Sequence, residues 1–165
     1  MGAHVLRVAV LVINSKIVKG IQEDSVRGGL TVWLKDYDME IGEYQIIPDE
    51  QEVIQDHLRN LCDIQNIHVV LTVGGTGVRP TDWAPEATRN VIDKEIPGIG
   101  EAMRSESLKT VRTAMLSRGT AGIRGDTLIV NLPGSSRGVR ENLSVLLPIL
   151  EHTLSKISGG TYTSG

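Results

Sequence analysis

The chain has 165 residues and a net charge of −3 at neutral pH. Hydrophobic residues make up 40% and charged residues 22%, a globular balance that excludes a disordered tail, a collagen-like rod and a coiled coil. The global basic excess of a nucleic-acid binder is missing, and Cys62 is the only cysteine, so no intrachain disulfide can form.

One domain is expected over 1–157, with roughly 70% of the unfolded chain's surface buried. There is no Phe and only two Trp, so the core is built from Val, Ile and Leu, which suits buried parallel strands. Leu6 to Ile13 is a continuous apolar run of strand length. After the polar stretch Asn14 to Asp24, Asp24-Ser25 caps a helix through Tyr37 that carries Val26, Leu30, Val32-Trp33 and Leu34 as a broad apolar face. Met39 to Ile47 alternates as a more exposed strand, Pro48 ends it, and Asp49-Glu50 opens a helix with Val53, Ile54, Leu58, Leu61 and Cys62 on its apolar side.

Ile67 to Val73 is a further buried strand that runs into Gly74-Gly75-Thr76-Gly77. Pro85 starts a helix to Lys94, and Pro97 another to Leu108. Met115 to Gly122 is ambiguous. Thr127 to Leu132 is a strand closed by Pro133-Gly134-Ser135-Ser136, and Arg137 to Ile157 is a long amphipathic helix that Pro148 is expected to kink. Residues 158–165 read as a flexible tail. Strands alternating with helices predict a three-layer α/β/α domain with a mostly parallel sheet.

The first apolar run starts too early and is too short for a secretory leader, and no stretch approaches the ~20 apolar residues that cross a bilayer. A cytoplasmic protein with no membrane partner and no nucleic-acid partner is expected.

In open α/β sheets ligands bind beyond the carboxyl ends of the strands. If the strands are parallel, Asn14-Ser15, Asp49-Glu50, Gly74 to Gly77 and Pro133 to Ser135 share that edge. Gly74, Gly75 and Gly77 expose backbone N–H groups of the kind that hold phosphate, and Thr76 adds a hydroxyl. The run is neither a P-loop nor a dinucleotide fingerprint. Asp49 and Asp82 place two carboxylates where Mg²⁺ and phosphates can meet; each is also a favoured helix cap, and a cap can still bind metal. Pro133, Gly134 and Ser135 open the last helix, whose first turn carries Arg137 and Arg140 against the helix dipole, a conflict that an anion there would resolve. Arg79, Arg137, Asn14, Ser15 and Asp24 complete the set of candidate phosphate-site residues. Trp83 lies in the same loop as a candidate contact for a planar ligand. His4, His57, His68 and His152 show no metal spacing, and Cys62 reads as core.

These motifs, in this order, resemble the MogA/MoaB family of molybdenum-cofactor biosynthesis proteins. The matching segments are IIPDE at 46–50, TVGGTG at 72–77, TDWAPEAT at 81–88, IPGIGEAMRSESL at 96–108, AMLSRGTAGIRG at 114–125 and NLPGSSRGVRENL at 131–143. The resemblance implies an adenylyltransferase that uses Mg²⁺ and ATP to attach AMP to the terminal phosphate of molybdopterin, releasing pyrophosphate. It also implies a homotrimer or homohexamer and a downstream molybdate-insertion protein. The family's functional acids fall on Asp49 and Asp82, its glycine-rich loop on Gly74 to Gly77 and its Pro-Gly-Ser turn on Pro133 to Ser135. Two departures stand out. Asn14-Ser15 replaces a common Ser-Asp, and Ala84-Pro85-Glu86 is similar to the MoaB branch. The alternatives are a MoaB-type carrier that binds molybdopterin without chemistry, and a CinA-like nucleotide pyrophosphatase.

Overall fold

A computed structural model describes residues 6–159. The proposed tail falls mostly outside that range, as does His4; Ser158 still closes the last helix through its backbone N–H to the Leu154 carbonyl. Six strands form one sheet in the order β2-β1-β3-β6-β5-β4. They are β1 (Leu6–Ile13), β2 (Met39–Ile47), β3 (Val69–Val73), β4 (Lys94–Glu95), β5 (Ala121–Arg124) and β6 (Thr127–Leu132). β2, β1, β3 and β6 run parallel, whereas at one edge β5 pairs antiparallel with β6 and β4 antiparallel with β5. The sheet is therefore mixed but mostly parallel, as expected.

The period of two along the strands sorts side chains between two helical layers. Leu6, Val8, Val10 and Val12 of β1 join Leu71, Val130 and their neighbours under α2 (Arg27–Lys35), α5 (Pro97–Leu108) and α6 (Ser136–Ile157). Ala9, Leu11 and Ile13 face the other way, with Val70 and Ile129, under α3 (Gln51–Asp63) and α4 (Ala84–Val91). Each fully buried Val, Leu or Ile here stabilises the fold by roughly 1.5–3 kcal/mol. The second face also buries Thr72, Thr88 and Asn131. The Asn131 amide donates to Thr72 Oγ1 and Thr88 Oγ1, both at 2.9 Å, and its Oδ1 accepts the Thr120 N–H at 3.2 Å. This closed network ties β6 to β3, to α4 and to the segment that enters β5.

Several local expectations are corrected. The helix expected from Asp24-Ser25 to Tyr37 spans Arg27–Lys35 and has no side-chain cap, because the Asp24 carboxylate accepts the Val26 N–H at 3.0 Å and the Tyr44 hydroxyl instead. The polar stretch before it contains a four-residue helix, α1 (Ser15–Val18), capped by Asn14 Oδ1. Asp49 does not cap α3, and Asp82 does not cap α4; the capping positions are Glu50 and Trp83. The helix expected to reach Lys94 stops at Val91. Beyond it the Asp93 and Ile96 N–H groups bond to the Ile123 and Ala121 carbonyls, drawing Lys94–Glu95 onto the sheet as β4.

The ambiguous segment resolves into a 3₁₀ turn at Arg112–Leu116 and the start of β5. β3 begins at Val69, two residues later than expected. α6 runs unbroken through Pro148. Cys62 is half-buried at the margin of the second cluster, not within it; burial, with some help from Asp63 and Asp93, pushes its thiol up to about 11.

Asn131→Leu is expected to strand the Thr120 N–H and to lower stability by about 1–3 kcal/mol, measured as a shift of the urea midpoint at unchanged slope.

Candidate active site

The parallel strands end in register. Ile13 lies beside Ile47, Val12 beside Val73, and Val73 beside Leu132. All the turns singled out in the sequence are thereby brought to one edge. β2 and β3 lie on opposite sides of β1, so the chain switches direction there. A crevice outside the carboxyl ends at such a point is where open α/β sheets bind ligands. It is occupied by a cleft of about 1090 Å³ lined by Asn14, Ser15, Asp49, Gly74 to Gly77, Arg79, Asp82, Gly134 and Ser135.

Two glycine turns meet backbone to backbone in the cleft. Gly74 has φ +97°, and a Cβ there would lie 2.7 Å from the Ile13 carbonyl oxygen; a Cβ on Gly134 would lie 3.4 Å from Gly74 Cα. A Cβ on Gly77 would lie 2.9 Å from Asp82 Oδ2, so a larger residue there would have to displace that carboxylate. The Gly74 N–H is used by the Leu132 carbonyl. Those of Gly75, Thr76 and Gly77 find no acceptor among the described residues, and neither do those of Ser136 and Arg137 in the first turn of α6. Free amides from a glycine loop and from a helix N-terminus make an anion-binding lining.

Both acids are positioned by backbone. Ser15 and Asp49 are reciprocal partners: the Ser15 N–H donates to Asp49 Oδ2 at 2.9 Å, and the Asp49 N–H donates to Ser15 Oγ at 2.9 Å. The Arg79 N–H donates to Asp82 Oδ2 at 2.9 Å. Each carboxylate keeps its Oδ1 unbonded among the described residues. The donor set of the cleft fits a Mg²⁺ ion, which is commonly held by one or two carboxylates plus substrate phosphates.

The remaining candidates divide. Arg79 lines the cleft and is in no ion pair among the described residues. Arg137 lies outside the cleft, in an adjoining recess, paired with Glu141 at 3.1 Å. Arg140 stacks over the Trp33 ring at 5.8 Å. Asp24 is held by Tyr44 and borders only a small crevice beside Asn14 and Gly134. Trp83 lines neither the cleft nor the recess.

Three basic residues were not singled out in the sequence. Lys16 and Lys19 line the cleft and are in no ion pair among the described residues. Their signal was available: a polar, lysine-bearing stretch directly after a buried strand. Arg118 is the third. Its guanidinium donates to the Gly77 carbonyl at 2.7 Å and the Asp82 carbonyl at 2.9 Å, and it pairs with Glu86. Its backbone N–H donates to the Thr76 carbonyl at 2.7 Å. One side chain therefore straps both ends of the loop that carries Asp82. Burial alone would raise the Glu86 carboxyl, but the hydrogen bond and charge of Arg118 outweigh it and hold the group below the usual glutamate range. Glu86 Oε1 is shut off from solvent and has no partner among the described residues, so the compensation for this carboxylate comes chiefly from Arg118 through Oε2, with a smaller share from the backbone and Arg89.

An α/β sheet with free amides and two positioned carboxylates at its switch point is an arrangement suited to phosphorylated ligands. Comparisons with known proteins narrow the class. Residues 9–152 match the family model described as a probable molybdopterin binding domain, and the chain belongs to that family. It is 39% identical over 156 residues to a molybdopterin adenylyltransferase of Helicobacter pylori, covering 93% of this chain and 89% of that protein. It is also 39% identical to the molybdopterin adenylyltransferase of Escherichia coli, over 85% of this chain and 73% of that one. The crystal structure of the molybdopterin biosynthesis enzyme MoaB from Thermus thermophilus superimposes with a TM-score of 0.89 at 41% identity, covering 96% of this chain and 99% of that chain.

Arg118→Ala is expected to leave the chain folded but to release the 77–82 loop, so that the Asp82 amide exchanges with solvent at least about tenfold faster. In the wild-type chain the Glu86 carboxyl is held low, so the strap is intact above the ordinary glutamate pKa of about 4.3 and is lost as pH falls through the lower folded value. Amide-exchange protection of Asp82 measured against pH checks this sign.

Proposed function

We propose that the chain transfers the adenylyl group of ATP to the terminal phosphate of molybdopterin, releasing pyrophosphate. The observation that carries this reading is the pair of backbone-positioned carboxylates, Asp49 and Asp82, facing unpaired amides and cations in one cleft. The relatives named molybdopterin adenylyltransferase support it.

Transfer forms a bond between an oxygen of the pterin phosphate and the α-phosphorus. It breaks the bond from that phosphorus to the bridging oxygen of the leaving pyrophosphate. The attacking phosphate is already ionised near neutral pH, so the chain need supply no strong base. Its task is to bring two anions together and to stabilise the charge that develops in transfer, which is where preorganised donors contribute most. The amides of Gly75, Thr76 and Gly77 and the α6 N-terminus cradle phosphate oxygens. Lys16, Lys19 and Arg79 offset charge, and Ser15 orients Asp49. Asp49 and Asp82 are the residues that would hold Mg²⁺, which supplies charge neutralisation across the phosphates when bound. In this reading ATP and molybdopterin are the small-molecule partners, the assembly is a homotrimer or homohexamer, and the adenylylated product passes to a protein that inserts molybdate.

The test is pyrophosphate release from MgATP with and without molybdopterin. Release should require the pterin and fall at least about 100-fold in Asp82→Asn, the scale of losing one preorganised charge contact. Absence of release with molybdopterin still bound would overturn the transferase and leave a carrier.

A further inference from the structure

The loop that follows Gly74 has its carbonyls claimed by the protein and its amides left over. The Gly75 carbonyl accepts the Ala84 N–H at 3.0 Å, and the Thr76 carbonyl accepts the Arg118 N–H at 2.7 Å. The Gly77 carbonyl accepts from Arg118 Nε at 2.7 Å. In a planar trans peptide the carbonyl and the N–H that follows it point in opposite directions. Fixing these carbonyls therefore turns the N–H groups of Thr76, Gly77 and Val78 the other way. None of those amides meets an acceptor among the described residues, and all of these residues line the cleft. Successive free amides make an anion-binding concavity. Arg118 sets the Thr76–Gly77 and Gly77–Val78 peptide units that contribute to it.

The same guanidinium reaches the far end of the loop, where Nη2 donates to the Asp82 carbonyl at 2.9 Å and Nη1 pairs with Glu86 in the first turn of α4. Arg118 lines neither the cleft nor the recess beside it, so it works from behind the loop and not on the ligand. Its own main chain is braced on both sides. Arg104 Nη1 donates to the Ser117 carbonyl at 3.3 Å and to the Gly119 carbonyl at 2.7 Å. Thr120 is held through its N–H by Asn131 and through its hydroxyl, which donates to Glu95 at 2.7 Å. A Cβ on Gly100 would lie 2.6 Å from the Gly119 carbonyl oxygen, so α5 backs directly onto this segment.

The work needs an arginine and not merely a cation. Nε, Nη1 and Nη2 serve different acceptors from one rigid planar fork, whereas a lysine ammonium is a point charge on a flexible stem. We infer that Arg118 is a positioning residue of the phosphate cleft: it turns the Gly77 and Val78 amides toward a phosphate and fixes the main chain at Asp82, so that one side chain outside the cleft sets its anion-binding and its acidic halves together. The inference rests on the cleft taking a phosphorylated substrate. It also adds the Val78 N–H to the donors that meet the phosphate.

Calorimetric titration of the full chain with inorganic pyrophosphate in metal-free buffer tests it, because it reads the donors without the acids' metal. Arg118→Lys keeps the charge and loses the fork; Arg118→Ala loses both. Both variants should bind pyrophosphate at least about tenfold more weakly than the wild-type chain and within about threefold of each other. Methylguanidinium, but not methylammonium, should restore binding to Arg118→Ala. In nitrogen–proton NMR spectra of the wild-type chain, pyrophosphate should move the Gly77 and Val78 amide protons downfield, and in Arg118→Lys those shifts should collapse. Glu86→Gln leaves every backbone bond of Arg118 in place and serves where the other variants fail to fold; it should weaken pyrophosphate about threefold through a looser guanidinium. Wild-type affinity in Arg118→Lys marks a distant charge, and wild-type affinity in Arg118→Ala or Glu86→Gln marks a bystander; any of these overturns the inference, as do Gly77 and Val78 shifts that persist in Arg118→Lys. A wild-type chain that binds no pyrophosphate overturns the phosphate cleft and the inference with it. A chain that shows the Arg118 effects on pyrophosphate but no molybdopterin-dependent turnover keeps the inference and loses the transferase.

Discussion

Parallel strands buried on both faces cannot slip without moving an entire set of apolar side chains to the wrong layer. That constraint governs β2, β1, β3 and β6, where the alternation of Val, Leu and Ile leaves one register that fills both cores. Because the register is fixed, Ile13, Ile47, Val73 and Leu132 finish within one residue of one another. The turns that follow have no freedom about where to appear. The glycine loop, the Ser15–Asp49 pair and the start of α6 become neighbours as a by-product of core packing. Everything polar at the cleft is suspended from that apolar alignment.

A second level of control comes from groups that bridge the elements. Asn131 uses both its amide donors and its amide oxygen to join β3, β6, α4 and the segment leading to β5. Two residues before the segment it anchors, Arg118 reaches back across the sheet edge to the Gly77 and Asp82 carbonyls. The site loop is thus held from behind by a network that begins inside the core. Distortion of the sheet at β5 would be transmitted to the position of Asp82 through a single guanidinium.

The sequence was informative where the physics is local or periodic. The continuous apolar runs located β1, β3 and β6, and the glycine and Pro-Gly-Ser turns located the cleft. It misled where tertiary bonds compete with local ones. Asp24, Asp49 and Asp82 all have the composition of helix caps, but each has its carboxylate engaged elsewhere, by Tyr44 and Val26, by Ser15 and by the Arg79 amide respectively. A cap preference is worth about 1 kcal/mol, which such longer-range bonds can override. The end of α4 went astray for a similar reason: sheet pairing with β5 claimed residues whose pattern alone continues a helix. Arg118 could not be read at all without the fold, because the Gly77 carbonyl it holds lies 41 residues away.

The cations of the cleft sit on a different kind of support from the acids. Lys16 and Lys19 belong to or adjoin α1, a single turn with no buried residue, held by the Asn14 cap and by Ser15. Such a segment lies at the low-stability end of the molecule; Ile17 alone packs against a core, and the two lysines belong to neither. Natural variation can therefore add, remove or reposition positive charge there with almost no penalty in folding. The affinity of the cleft for polyanions and the integrity of the sheet are separable inheritances: a lineage can retune the first over short evolutionary distances while the second stays fixed.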